Sequence, residues 1–512
     1  MKLPERDVCS RLRLYVSPRV SRSAIDGIKM KQRVLILSAS AGAGHVAAAQ
    51  ALEQVFAQSN DIETVVHKDA LEFTNQTFRD FYSELYLTLV KRSPHLVGWW
   101  YDESDEPWRT DQVRSMMDRI NLQPLSKFLL EFQPHRVVCT HFLPAGLVAY
   151  LMEKQQLDTH LSIVTTDYDF HSQWLSKLFN RYFVAIEQTK AHLIALGIPD
   201  ERVTVSGIPV DPAYGQPVDR PAVLAKYRLD DQRPILIYSA GAVGGGPVRA
   251  TVEQLMGLRH NAQCIVICGR NAELRREIEA LVVSQAENFR ILGFTTDMIN
   301  LMRVATLFIG KPGGLTASEV MAAGVPMVIS SPIPGQEERN SDYLLEHGVA
   351  IKINDLTIVA YKIDQLLDDQ QRLQRMRACA RQIGRPDAAQ TIVDILLDHS
   401  ALLPIEISKQ QQQHMIDVSR GVNMAPPASI WPAGEIAIFD QRTGVLLGAL
   451  SEEQFAFLNS HMEQESADDD TFYINESLIE SLRHAGADSE LLDLLQQAIG
   501  LDGEGDIRWD RR

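Results

Sequence analysis

The amino-acid sequence predicts an α/β protein with two doubly wound domains and a small additional α+β domain. From Arg33 to about residue 400, short apolar runs alternate with amphipathic stretches, which predicts mostly parallel sheets with helices on both faces. The proline-rich stretch 207–222 interrupts this alternation once. The length of 512 residues also exceeds what a single hydrophobic core serves.

These features divide the chain into five segments. They are a basic tail (1–30), a first doubly wound domain (31–208), a second one (209–400), a polar linker (401–425) and a small acidic domain (426–512), to which the sequence assigns no role. Two doubly wound domains in tandem place the carboxyl ends of their strands around a shared cleft, where ligands bind. We therefore expect the functional residues in loops that follow strands.

Composition and charge limit the possible functions. The content of 45% hydrophobic and 23% charged residues is typical of a globular protein, and no apolar run approaches the roughly 18 to 20 residues that span a bilayer. The formal charge of −16 argues against a protein that coats nucleic acid. Residues 1–33 nevertheless carry nine Lys or Arg and three Asp or Glu, so this tail either attracts an anionic membrane surface or is an inert leader with Met30 as the true start.

The five cysteines show no framework spacing and no signal peptide precedes them, which favours reduced thiols and a cytoplasmic location. Cys264 and Cys268 lie in the apolar run "QCIVICG", and no other Cys or His pair at ligand spacing accompanies them. We predict two core thiols in preference to a metal site.

Three glycine-rich loops each follow an apolar strand and open a helix: "SASAGAGH", "SAGAVGGGP" and "GKPGGLTASE". Free backbone N–H groups and the positive end of the helix dipole favour an anion at such positions. The first loop has Gly42 and Gly44 without the third glycine of a dinucleotide fingerprint, and no Walker lysine pattern occurs. The loops indicate a phosphate-bearing ligand and give only weak support to a nicotinamide dinucleotide or to a nucleotide bound by a P-loop.

Two stretches resemble a known family. "ILSASAGAGHVAAAQAL" is similar to the amino-terminal loop of the monogalactosyldiacylglycerol synthases and the processive diacylglycerol glucosyltransferases, and "KPGGLTASEVMAAGVPMVISSPIPGQEERNSDYLLEHGVA" is similar to their donor site. The second stretch is shared more loosely with the transferase that makes peptidoglycan lipid II. The resemblance covers about residues 33 to 400, including "TTDYDFHSQWL", and leaves out the first 30 and the last 110 residues or so.

This resemblance implies a GT-B fold, in which two Rossmann-like domains face a cleft. The first would bind the acceptor and the second a UDP-sugar. The implied reaction is an inverting transfer of galactose or glucose from the UDP-hexose to diacylglycerol, by a protein located peripherally on the cytoplasmic membrane. The family's pattern implies no cofactor and no metal requirement, and it assigns no oligomeric state.

His45, in "GAGH", is the residue that the resemblance implies as catalytic base. An imidazole with a pKa near neutrality can accept the proton of an acceptor hydroxyl as that hydroxyl attacks the anomeric carbon. The cleft residues expected on the acceptor side are Gly44, Asp167, His171, Trp174, Trp99 and Trp100. Trp99 and Trp100 are either a membrane-facing pair or core aromatics, and a structural role is an equal alternative for Asp167, His171 and Trp174.

On the donor side, the resemblance assigns Glu319 to the ribose hydroxyls and Gln336 and Glu337 to the sugar. Phe294 and Thr295 would hold the uracil, although Phe294 could equally be a core residue. Arg270 is a weaker candidate for a cation on the phosphates. The remaining residues expected to bind the UDP-sugar are Gly244, Gly245, Gly246, Gly313, Gly314 and Thr316.

Two other functions remain as alternatives at this stage. A UDP-sugar 2-epimerase has a similar two-domain fold and would convert the donor without an acceptor. A non-catalytic UDP-sugar sensor would signal through residues 426–512. The histidine of "GAGH" disfavours the sensor, because a sensor needs no base.

Overall fold

The computed structural model describes residues 13–14, 31–40, 42–75, 105–108, 121–398, 402–420, 435–440, 446–462, 471–499 and 504–511. The chain forms two compact units, Met1–Gln412 and Gln413–Arg512. Trp99, Trp100 and all of the basic tail except residues 13–14 lie outside the described residues. Within the described part, no helix is both long and apolar enough to cross a membrane.

The first half of the larger unit is built around a six-stranded parallel sheet. Its order is β3-β2-β4-β5-β7-β8, and Val34, Leu35, Ile36 and Leu37 of the interior strand β2 are fully buried because helices cover both faces. The strands of this half are β1 (Arg13–Leu14), β2 (Gln32–Ser38), β3 (Ile62–Asp69), β4 (Arg136–Cys139), β5 (His160–Val164), β6 (Leu178–Phe179), β7 (Arg181–Val184) and β8 (Val203–Val205). The described helices are α1 (Ala43–Phe56), α2 (Gln123–Phe132), α3 (Phe142–Glu153) and α4 (Glu187–Ala195).

The second half repeats this architecture. A six-stranded parallel sheet has the order β11-β10-β9-β12-β13-β14. Its strands are β9 (Ile235–Ser239), β10 (Gln263–Ile267), β11 (Phe289–Leu292), β12 (Leu307–Gly310), β13 (Met327–Ser330) and β14 (Ala350–Ile353). The helices are α5 (Arg220–Tyr227), α6 (Val248–Met256), α7 (Ala272–Leu281), α8 (Met298–Val304), α9 (Gly314–Ala323), α10 (Gln336–Glu346), α11 (Val359–Asp368), α12 (Gln370–Ile383) and α13 (Ala388–Leu397). The predicted pair of doubly wound domains is confirmed, and Cys264 and Cys268 are buried free thiols.

The last of these helices returns to the first half. Ile392, Val393 and Leu396 of α13 are buried against β2 and α1, in one core cluster with Leu52 and Val55. The order of the chain predicts this helix in the second domain, because the helix follows that domain in sequence. Its apolar stripe, however, completes the core of the first sheet.

Part of the predicted linker 401–425 also has regular structure. Strand β15 (Ile405–Glu406) pairs antiparallel with β1 and with β6, and helix α14 (Lys409–Ser419) follows. Strand β15 therefore adds a short three-stranded sheet at residues that the polar composition suggested were a connection.

The smaller unit has its own sheet and core. Four antiparallel strands have the order β17-β16-β19-β18, and buried residues such as Ile436, Ile474 and Ile507 pack with three helices. The elements are β16 (Glu435–Asp440), β17 (Leu446–Ser451), α15 (Glu452–Ser460), β18 (Thr471–Asn475), α16 (Glu476–His484), α17 (Ser489–Ile499) and β19 (Glu504–Arg511). This arrangement is the predicted small α+β domain.

Candidate active site

His45 lies where three neighbouring strands of the first sheet end. It occupies the first turn of α1, after β2. Its Nδ1 atom is 3.0 Å from the Thr140 carbonyl oxygen and 2.8 Å from Thr166 Oγ1. Thr140 follows β4, and Thr166 lies just beyond β5. Thr140 Oγ1 also donates a hydrogen bond of 2.8 Å to the His45 carbonyl oxygen. This bond joins the first turn of α1 to the loop after β4.

The hydrogen bonds determine which imidazole nitrogen can act as a base. A carbonyl oxygen only accepts, so Nδ1 carries the proton that faces Thr140, and the lone pair of Nε2 remains available. Burial lowers the pKa of His45 from 6.5 to about 4, with partial compensation from the Thr140 hydrogen bond. His45 is therefore neutral at physiological pH and can accept a proton at Nε2.

Aromatic rings surround this imidazole. The His141 ring meets it edge-on with centroids 4.6 Å apart, and the Trp174 ring lies 6.3 Å away. His141 Nδ1 accepts a hydrogen bond of 3.0 Å from the Leu143 backbone and so caps the start of α3. Trp174 is 3% exposed. The structure brings Trp174 close to His45, as expected for a residue near the acceptor.

Thr140, His141 and Thr166 were not among the predicted site residues. The only signal in the sequence was their position, since "CTH" and "TTD" directly follow apolar strands. Their side-chain types carry no specific chemistry by themselves.

The segment 166–169 after β5 packs against the second half, and we call this contact the domain seam. Tyr168 N donates to Asn340 Oδ1 over 3.0 Å, and the Tyr168 hydroxyl is 2.6 Å from Ser318 Oγ. The Tyr168 ring stacks on Tyr343, with centroids 4.8 Å apart and an interplanar angle of 16°. The facing residues come from α9 and α10, so both helices contribute to the seam.

Glycine is required at the closest approach of the seam. A Cβ atom on Gly314 would lie 2.0 Å from the Thr166 carbonyl oxygen, whereas one on Gly313 would have its nearest neighbour, Glu337 Oε1, at 3.8 Å. A Cβ on Gly44 would lie 3.3 Å from Leu315 Cβ. The first turns of α1 and α9 therefore lie together, and Thr316 occupies the same first turn of α9.

Asp167 and Gln336 contact each other across the seam. The sequence analysis expected Asp167 on the acceptor side and Gln336 on the sugar, but Gln336 Nε2 here donates to Asp167 Oδ1. Burial raises the pKa of Asp167 from 3.8 to about 6, and the hydrogen bond from Gln336 opposes this shift in part. Both residues remain candidates for ligand contact because they lie at the boundary between the two halves.

His171 has a structural contact in this arrangement. Its Nδ1 accepts from Gln173 N over 3.1 Å and lies 3.8 Å from Asp105 Oδ1. Asp105 in turn is 3.4 Å from Arg339, which also pairs with Asp169. This charged cluster links residue 105, the segment after β5 and helix α10. It thus supports the structural alternative for His171.

The glycine loop after β9 packs on the loop after β10. Gly244 has a φ of +68°, and a Cβ there would lie 2.2 Å from the Cys268 carbonyl oxygen. A Cβ on Gly245 would meet nothing within 4 Å.

Arg270 follows β10, and its guanidinium lies 4.8 Å from the centre of the Phe294 ring. Phe294 is 54% exposed and is therefore not a core residue. Thr295 beside it accepts a hydrogen bond from the Asp297 backbone over 3.1 Å.

The two predicted donor-site glutamates are both partly buried. Glu319 lies in α9 beside Tyr214 and Asp211, and burial, with a smaller contribution from the Asp211 charge, raises its pKa from 4.5 to about 8. Glu337 Oε2 accepts a hydrogen bond of 2.7 Å from the Ile333 backbone, and burial raises its pKa as well.

Among the described residues, no three His, Cys, Asp or Glu side chains are grouped so as to hold a metal ion.

Two parallel doubly wound sheets, with a histidine and a glycine loop at facing strand ends, have the two-domain architecture of the GT-B glycosyltransferases. Residues 45–210 match the family model for monogalactosyldiacylglycerol (MGDG) synthase, and residues 224–383 match that for glycosyl transferases group 1. The processive diacylglycerol beta-glucosyltransferase of Bacillus cereus (strain AH187) is 30% identical over 383 residues, covering 73% of this chain and 96% of that protein. The one from Bacillus cytotoxicus is 31% identical over 369 residues, covering 72% and 94%. The chain belongs to the family of the processive diacylglycerol glucosyltransferases, which confirms the resemblance in the glycine loops.

Solved structures with a similar fold are more distant. MurG of Acinetobacter baumannii is 18% identical with a TM-score of 0.47, and the match covers 71% of this chain and 99% of MurG. The UDP-GlcNAc 2-epimerase from Neisseria meningitidis, solved with UDP-GlcNAc bound, is 13% identical with a TM-score of 0.47, and the match covers 72% and 100%.

The Gly314→Ala variant is expected to destabilise the larger unit by about 1–3 kcal/mol, because the new methyl group collides with the Thr166 carbonyl and the seam must open. Urea unfolding followed by tryptophan fluorescence measures the effect. Gly313→Ala is the matched control, because its Cβ has room, and should change stability by less than about 0.5 kcal/mol. Equal effects of the two variants would contradict the proposed seam geometry.

The Asp167→Asn variant is expected to change how stability depends on pH. Because the pKa of Asp167 is raised on folding, its contribution to stability is greatest below pH 3.8 and is lost as the pH rises through about 6. Between pH 5 and 8, wild type should lose about 1–2 kcal/mol more than the variant, whose amide still accepts from Gln336. Urea unfolding across this range checks the difference, and Asp342→Asn, an exposed carboxyl on α10, is the control.

Proposed function

We propose that the protein transfers a hexose from a UDP-sugar to the free hydroxyl of diacylglycerol, with inversion at the anomeric carbon. The observation that carries this proposal is the environment of His45. Its Nδ1 proton faces the Thr140 carbonyl, its Nε2 is available as a base, and the glycine loop with Gly314 lies at the adjacent seam. Membership of the diacylglycerol glucosyltransferase family supports diacylglycerol as acceptor and glucose as the first donor to test, with galactose as the alternative.

In the proposed reaction, His45 Nε2 takes the proton of the acceptor hydroxyl while the hydroxyl oxygen forms a bond to the anomeric carbon. The bond between that carbon and the β-phosphate oxygen breaks, and its electron pair remains on the departing UDP. The Thr140 carbonyl holds the Nδ1–H and so stabilises the positive imidazole that results. No covalent sugar–enzyme intermediate is needed.

The donor would bind in the second half. We assign the uracil to Phe294 and Thr295, the ribose to Glu319, the diphosphate to the glycines 244–246 and 313–314 with Arg270 near them, and the sugar to Gln336 and Glu337. Occupation of the sugar site would then compete with the Gln336–Asp167 hydrogen bond. The acceptor would enter beside Trp174, His141 and Gly44. Catalysis would occur at the cytoplasmic membrane surface, with the basic tail and Trp99 and Trp100 as candidate contacts to anionic lipid.

Purified protein with UDP-glucose or UDP-galactose and diacylglycerol in mixed micelles is expected to form a β-linked glycolipid, visible by thin-layer chromatography. Turnover is expected to continue in EDTA. An incubation without lipid separates the transferase from the epimerase alternative, since only the epimerase would convert the donor alone. Absence of glycolipid with both donors would refute the proposal, and UDP binding without any turnover would favour the sensor.

The His45→Ala variant is expected to lower kcat by about 10²- to 10⁴-fold, the usual contribution of a positioned general base. Because the pKa of His45 is lowered to about 4, wild-type kcat/KM should stay level from pH 8 down to about 5 and fall only at more acidic pH. His414→Ala, an exposed histidine outside the site, is the control. Full turnover by His45→Ala would exclude this residue as the base.

A further inference from the structure

Lys311 directly follows β12, the strand next to β9 in the second sheet. Its side chain is half-buried and reaches across to the glycine loop that follows β9. A Cβ atom on Gly246, whose φ is +98°, would lie 3.9 Å from Lys311 Cε. The end of the lysine side chain therefore lies over the loop that we assign to the diphosphate.

This lysine has no partner within the part of the chain that the structure describes: no ion pair or hydrogen bond of its ammonium is present there. The Lys311 charge lowers the pKa of Glu337, against the stronger effect of burial. The hydrogen bond of Glu337 goes instead to the Ile333 backbone. Among the described residues, Lys311 is thus a cation whose ammonium has neither an ion-pair partner nor a hydrogen-bond partner.

The surroundings of Lys311 are otherwise acidic. Asp167 is buried and acts electrostatically on Glu337, which is partly buried. A diphosphate placed beside them would be repelled unless a cation balanced it. Arg270 is less suited to this task, because its guanidinium lies on the Phe294 ring at the position assigned to uracil.

We propose that Lys311 binds the β-phosphate of the UDP-sugar and stabilises the negative charge that develops on UDP as the bond to the anomeric carbon breaks. The proposal deepens the proposed function and rests on it. A lysine ammonium is a compact charge on a flexible stem, which allows it to follow the phosphate as it departs. The glycine loop supplies backbone N–H groups on one side of the phosphate and Lys311 the charge on the other.

The test compares UDP with uridine as ligands of the full-length protein, by isothermal titration calorimetry. Lys311→Met should weaken UDP binding about 10- to 100-fold, as expected for loss of a charge-assisted hydrogen bond, and should change uridine binding less than about twofold. Lys311→Arg should recover most of the UDP affinity. Arg270→Met should weaken UDP and uridine to a similar degree, since it acts through Phe294. Lys127→Met, which removes an exposed lysine on α2, is the control and should behave as wild type.

In turnover assays, Lys311→Met should lower kcat about 10²-fold or more, the effect of losing one group that stabilises developing charge. An unchanged ratio of UDP to uridine affinity in Lys311→Met, with its unfolding midpoint preserved, would overturn the inference. If wild type binds neither UDP nor uridine, the proposed function itself fails, so the two failures are distinguishable. An equal loss of UDP and uridine affinity would show a structural role for Lys311 and would also overturn the inference.

Discussion

The contact between Thr166 and Gly314 is the constraint on which the site depends. The Thr166 carbonyl oxygen occupies the space that any side chain at Gly314 would need. The Thr166 hydroxyl oxygen lies 2.8 Å from His45 Nδ1. Thr166 therefore contacts both His45, the candidate base in the first half, and the start of helix α9 in the second half. Any separation of the two halves would move Thr166 relative to one of them. The position of His45 therefore depends on the packing of the two halves at the seam.

Burial at the seam shapes its electrostatics. Asp167 and Glu319 have pKa values raised to about 6 and 8 because their carboxyl groups are removed from water. His45 shifts in the opposite direction for the same reason, since burial disfavours its charged form. At neutral pH, burial therefore leaves His45 uncharged and keeps Glu319 largely protonated, whereas Asp167 is largely ionised.

The fold also joins the two halves through the chain itself. Helix α13 comes after the second sheet in sequence but completes the core around β2 and α1. Strand β15 then pairs with β6 of the first half. The unit Gln413–Arg512 has a separate core. The two matched family models cover residues 45–210 and 224–383, so both lie within the larger unit. The chemistry assigned to this family therefore resides in the larger unit.

The sequence by itself determined the two doubly wound domains, the family and the loops at strand ends, because apolar periodicity and glycine spacing are local properties that a single chain segment displays. The same local pattern placed His45 at a helix start, and the resemblance to the family singled out Glu319. Only the tertiary structure decided that Thr140 and Thr166 hold the imidazole, that Gln336 pairs with an aspartate 169 positions away, and that Lys311, unpaired among the described residues, lies beside Gly246. These contacts join residues from different strands and from both halves. They arise from the packing of neighbouring strand ends and of the two halves at the seam, which no local pattern of residues encodes.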